Sequence, residues 1–229
     1  MAFGNTNQIL AERQYLRDGD VEISERAFNL VIGGMLMWGF LLNYLMVALF
    51  EAPIVRMAGS MNPLIFLLGY FALALAGNAL ITRKGPLLSF VGYNLIAVPV
   101  GVVVCLCLNG IPASTVKSAV LMTAIVTLSF MIASMIFPGF FLRLGRVLGI
   151  SLLITLVGEL VSVLIFRSNA MIYEWIFVGI FSLYIGYDWA RANTCARTLD
   201  NAIDLSASLY LDIINLFLRI LEIMNRRKD

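Results

Sequence analysis

Histidine is absent from the 229 residues. That removes His-ligated metal centres, Ser-His dyads and imidazole proton switches together. Cysteine is scarce and odd in number: Cys105, Cys107 and Cys195, with no CxxC pair. No disulfide framework follows, so all three read as packing residues. Charge is scarce as well, at 13% of residues against 61% hydrophobic. So few polar side chains cannot cover a water-facing domain of this length. The net charge of +2 and the lack of a long basic run exclude a nucleic-acid partner. The one basic cluster, Arg226-Arg227-Lys228, suits lipid headgroups better.

What the chain has instead is long apolar runs. Crossing a hydrocarbon core takes about 20 residues, and seven segments qualify: 28–50, 62–82, 87–108, 115–137, 146–166, 171–192 and 203–224. The loops between them are too short to hold a soluble domain. Backbone polar groups in lipid must be satisfied within each span, and these runs are too continuous for barrel strands. The expectation is an all-α integral membrane protein, a seven-transmembrane-helix bundle. A polar tail would occupy 1–27, the membrane domain 28–224, and a basic tail 225–229. The tail at 1–27 lacks the basic start and early apolar core of a secretory signal.

Loop charge sets orientation. An inward N-terminus puts Arg13, Arg17, Arg26, Arg83, Lys84, Arg143, Arg146, Arg191 and Arg197 inside, against Arg56, Lys117 and Arg167 outside. A cytoplasmic N-terminus is expected, in a bacterial inner or an organellar membrane. The basic C-terminal end runs against that count. Either the seventh segment dips without crossing, or late charges are tolerated. Gly69, Ala72, Ala76 and Ala79 recur on one side of the second span, where small residues suit close helix contact. Pro99 should kink or interrupt the third span.

Three carboxylates fall inside the spans: Glu159, Asp188 and Asp212. Such residues are costly in lipid and become functional candidates. Each has a plainer reading. Glu159 could be a protonated acid bonded to a hydroxyl, and Asp188 an interfacial residue near Arg191. Asp188 and Asp212 are 24 positions apart, symmetric about Asp200, and Asp200-Asn201 can form a turn. In an antiparallel hairpin turning there, both would lie about 18 Å from the tip and face each other. Gly186 would let the two backbones approach. From Asp204, steps of four or three reach Ser208, Asp212, Asn215, Arg219 and Glu222, a polar stripe that cannot face lipid. It is either a structural hydrogen-bond ladder or the lining of an ion path. Two carboxylates at contact distance resist ionising together and share one proton over a range of pH. Once both are charged they attract an arginine or a hard cation such as Ca²⁺.

The stretches FSLYIGYD (181–188) and SLYLDIINLFLRIL (208–221), with their aspartate spacing, resemble the Bax inhibitor-1 family, the transmembrane Bax inhibitor motif proteins. The resemblance implies seven helices with the C-terminal one central. It also implies a pH-sensitive calcium leak, with Asp188 and Asp212 as proton sensor and possible Ca²⁺ contacts. An arginine of the second helix latches one aspartate in that family, and Arg83 in ITRKG is the counterpart by character. Some members carry a glutamate in the second span, which this chain lacks; Glu159, in the fifth span, lies outside the family pattern. Ser208, Asn215, Arg219 and Glu159 are candidate path-lining residues. No cofactor is expected beyond calcium as permeant or bound ion; partners are the lipid bilayer, protons and calcium. Two other functions compete. One is a non-conducting regulator that binds a membrane protein such as a protease or cell-death factor. The other is an intramembrane aspartyl protease, which the missing GxGD and PAL motifs disfavour; no enzyme activity is expected.

Overall fold

The computed structural model describes residues 21–83, 85–165, 167 and 170–226. Most of the polar N-terminal stretch, Lys84 and residues 227–229 lie outside them. Among the described residues there are seven helices and no strand: α1 (Glu25–Ser60), α2 (Pro63–Ile81), α3 (Pro86–Leu108), α4 (Ala113–Ile136), α5 (Pro138–Leu164), α6 (Met171–Ala192) and α7 (Leu199–Arg226). The all-α expectation holds, and the chain is a multi-pass membrane protein. Helices α1 to α5 are long and apolar enough to cross a membrane by length and composition. The other two are more polar: α6 holds Glu174, Asp188 and Arg191, and α7 holds Asp200, Asp204, Asp212, Arg219, Glu222 and Arg226.

Local chemistry explains where helices begin. Ser24 caps α1 by accepting from the Ala27 N–H, and Asn62 caps α2 by accepting from that of Leu64. Pro63, Pro86 and Pro138 stand in the first turns of α2, α3 and α5, where a missing N–H costs nothing. Two other prolines lie inside helices. Helix α1 runs through Pro53 to Ser60, so residues 51–60 are helix rather than loop. Likewise α3 is unbroken at Pro99, and α5 begins at Pro138, eight residues before the expected span. Apolar neighbours in lipid leave the backbone no water to bond with, so it stays helical.

The chain divides into two compact units. One takes in the chain to Asn109 with Thr194–Ser208; the other takes in Gly110–Asn193 with residues from Leu209 onward. In the first, α3 packs on both α1 and α2. Tyr93 donates to the Met35 carbonyl at 2.7 Å, and Trp38 Nε1 to Asn94 Oδ1 at 3.0 Å. The backbones of α2 and α3 meet at two glycines: a Cβ on Gly77 would lie 2.7 Å from the Gly92 carbonyl oxygen. This corrects the expected contact face. Gly69, Ala72, Ala76 and Ala79 are all exposed, and the side of α2 that packs holds Gly77 and Ile81. The segment before α7 is fastened in the same unit. Thr198 bridges to Glu22, Arg197 pairs with Glu25, and Ser89 donates to Asp200 at 2.6 Å.

In the second unit, α6 packs on α4 and α5. Gly145 lies flush against the Tyr187 ring, and Gly158 against Tyr173. Gly186, expected to admit α7, instead receives Phe141 of α5. Helix α7 supplies its first ten residues to one unit and the remainder to the other. From Asn201 to Ile223 its residues are buried or half-buried.

Candidate functional site

The turn between α6 and α7 occupies residues 193–198, not Asp200-Asn201, which lie in the first turn of α7. Asp188 is four residues from the end of α6, about 6 Å, whereas Asp212 is thirteen from the start of α7, about 20 Å. Equal distance from the turn is therefore not what pairs them. Even so, the two carboxyl groups come within hydrogen-bonding reach of each other, and both residues are buried.

Asp188 carries a counter-charge from its own helix. Arg191 Nη1 donates to Asp188 Oδ1 at 2.8 Å, one turn on. The same guanidinium lies 5.4 Å from the centre of the Tyr187 ring. Tyr184, a turn before Asp188, is within electrostatic reach of both carboxylates. Asp212 makes no salt bridge among the described residues, and its Oδ2 is buried there without a hydrogen-bond partner. A buried oxygen left this way costs 1–3 kcal/mol or more.

Arg83, the expected latch, lies two residues past the end of α2, in the other unit, and is exposed. Within its own unit, Asp188 is bonded by Arg191. Its signal was the i,i+3 spacing, which placed it beside Asp188 without showing that the two would bond.

A second polar cluster surrounds Arg219. Its Nη1 and Nη2 bond Glu159 Oε1 and Oε2 at 2.8 and 3.3 Å, and Nη1 also meets Glu174 Oε2 at 3.1 Å. The guanidinium covers the Phe177 ring at 3.9 Å from its centre. Arg226 holds Glu222 at 2.6 Å and approaches Glu174 at 4.0 Å. Thus Glu159 and Arg219, two candidate lining residues, are brought together, and Glu174 joins them. Sequence reasoning missed Glu174, whose nearness to the start of α6 gave no sign of an inward direction. Asn215 donates to the Leu211 carbonyl at 2.7 Å, a bond within its own helix. Ser208 is half-buried in the other unit.

A family model described as "Inhibitor of apoptosis-promoting Bax1" matches residues 22–229. Two curated proteins of Helicobacter pylori, from strains 26695 and J99 and each described as "Uncharacterized protein", are 34% identical over 91 residues. The aligned stretch covers 38% of this chain and 37% of each relative, so the chain spans little more than a third of their length. The aspartate motifs of α6 and α7 and the match from residue 22 onward lead to one assignment: the chain belongs to the Bax inhibitor family.

Proposed function

We propose that the protein is a pH-sensitive cation leak pathway, with calcium as the permeant ion and Asp188 and Asp212 as its proton sensor. The observation that carries this reading is the buried contact of the two carboxyl groups beside a single guanidinium. With one proton on the pair, Arg191 balances the remaining charge. Loss of that proton leaves a net negative charge in a low-dielectric site, which a hard cation or a second basic group would offset. Rising pH therefore increases the pull on a cation, and the pair titrates as a unit. Lipid, protons and calcium are the partners this requires. The loop charges support a cytoplasmic N-terminus.

The test is calcium flux into proteoliposomes across a range of pH. Wild-type protein should show a pH-dependent step that Asp188→Asn and Asp212→Asn each abolish. Unchanged profiles in both variants would sink the proposal.

A second reading, a non-conducting regulator of another membrane protein, draws on the exposed small residues Gly69, Ala72, Ala76 and Ala79 of α2. A partner helix could approach closely there. Co-purification of a stable membrane partner with no ion flux would favour it over the leak.

A further inference from the structure

Carboxylates are unevenly spread along the chain: none occurs between Glu51 and Glu159. Arg143 and Arg146 fall in that stretch, in the early turns of α5, and both are exposed. Elsewhere on the helices of this unit the arginines hold carboxylates: Arg191 with Asp188, Arg219 with Glu159 and Arg226 with Glu222. Among the described residues, neither Arg143 nor Arg146 makes a salt bridge. Among the described residues, the unit's acids are held by other arginines, buried or distant. Glu159 is thirteen residues along α5 from Arg146, about 20 Å, and Asp188 is buried under Arg191.

Helical spacing sets the direction of the two side chains. Phe141 and Gly145 face α6, where they meet Gly186 and Tyr187. At about 100° per residue, Arg143 projects roughly 200° from Phe141, and Arg146 roughly 100° from Gly145. Their neighbours on that side, Phe140, Val147 and Ile150, are exposed apolar residues, so this side of α5 faces lipid. From Val147 to Leu164 the helix runs about 27 Å, close to the depth of a hydrocarbon core. The guanidiniums therefore stand at the hydrocarbon edge and must reach the headgroup layer. Without a carboxylate of the described residues beside them, their charge calls for a balancing anion. Arginine forks match phosphate oxygens in a bidentate manner.

We infer that Arg143 and Arg146 form a binding site for the phosphate of an anionic phospholipid. The occupant is a lipid rather than free phosphate because Phe140 and Val147 flank the arginines with surface that acyl chains cover. This site is independent of ion conduction and stands whether or not the leak does.

The test is native mass spectrometry of the full chain released from mixed phosphatidylglycerol and phosphatidylcholine micelles. Wild-type protein should retain phosphatidylglycerol preferentially, by about tenfold or more for two arginines. The double variant Arg143→Gln/Arg146→Gln should fall to near parity, while Lys117→Gln, on a neighbouring helix, keeps the preference. Arg143→Lys/Arg146→Lys, which keeps charge but loses the fork, should retain an intermediate preference. If the glutamine variant does not fold, the wild-type protein serves alone. Its thermal stabilisation by phosphatidylglycerol over phosphatidylcholine should shrink as salt screens the headgroup. Equal retention of both lipids, a preference untouched in the glutamine variant, or stabilisation indifferent to salt would overturn the site. Displacement of the lipid by millimolar inorganic phosphate would make it a free-anion site and overturn the lipid assignment.

Discussion

Arg219 grips Glu159 with both terminal nitrogens, at 2.8 and 3.3 Å, while one of them also holds Glu174 at 3.1 Å. One guanidinium on α7 thereby ties together α5 and α6. Two acids around one base in a partly buried setting form a sensitive arrangement. Taking charges out of water costs several kcal/mol each, and only good pairing returns it.

Removing the base alone should therefore be worse than removing base and acid together. Arg219→Gln leaves Glu159 and Glu174 without their shared partner and should destabilise the fold by about 3 kcal/mol. The double change Arg219→Gln/Glu159→Gln should recover part of that loss. Unfolding midpoints in detergent for the four members of this cycle measure the coupling. Equal midpoints for wild type and Arg219→Gln would show that the cluster does not bear on stability.

If the proposed sensor operates, Arg191 should tune its pH response. It supplies the positive charge that favours an ionised Asp188 across a 2.8 Å contact. In Arg191→Gln the carboxylate pair loses that support and holds its proton more firmly. The step in calcium flux should then move to higher pH, with its amplitude largely kept. A step that stays at the wild-type pH would disconnect Arg191 from the sensor.

Two contacts near the start of α7 should contribute unequally although both look polar. Arg197 and Glu25 meet at 3.2 Å, but both side chains are substantially exposed. Water and salt screen such pairs, and Arg197→Ala should change stability by less than about 1 kcal/mol. Ser89 is fully buried and donates to Asp200 at 2.6 Å. Ser89→Ala should cost about 1–2 kcal/mol by leaving that carboxylate short of a donor. Thermal unfolding of the two variants side by side checks the order.

How much of this was readable in advance depended on whether the signal was local. A carboxylate in an apolar run announces itself, so Asp188, Asp212 and Glu159 stood out. Most helix limits followed from apolar run length, and α6 runs over Met171–Ala192 as expected. What one residue does to a distant one was not readable. Glu159 and Arg219 both appeared as candidates, but their 60-residue separation concealed that they bond each other. Arg191 and Asp188 lay in plain view, and spacing alone could not tell a surface pair from a buried one. The α6–α7 turn was misplaced because Asp200-Asn201 has turn chemistry, yet Asp200 is instead engaged by Ser89.

The clearest miss concerned which glycine of α2 is needed, and it gives a sharp prediction. Gly69 belongs to a row of small residues with helical spacing, yet a Cβ placed there meets nothing within 4 Å. Gly77 belongs to no such row, and a Cβ there would lie 2.7 Å from the Gly92 carbonyl and 2.8 Å from Ile96 Cγ1. Backbone cannot swing aside as a flexible side-chain end can, so α2 and α3 would have to separate along their contact. Gly77→Ala should cost about 2 kcal/mol by overpacking, against the helix propensity gained. Gly69→Ala has only the propensity term and should be neutral or slightly stabilising. Unfolding in detergent decides between them: equal losses in the two variants would mean that the close approach of α2 and α3 lies elsewhere than at Gly77.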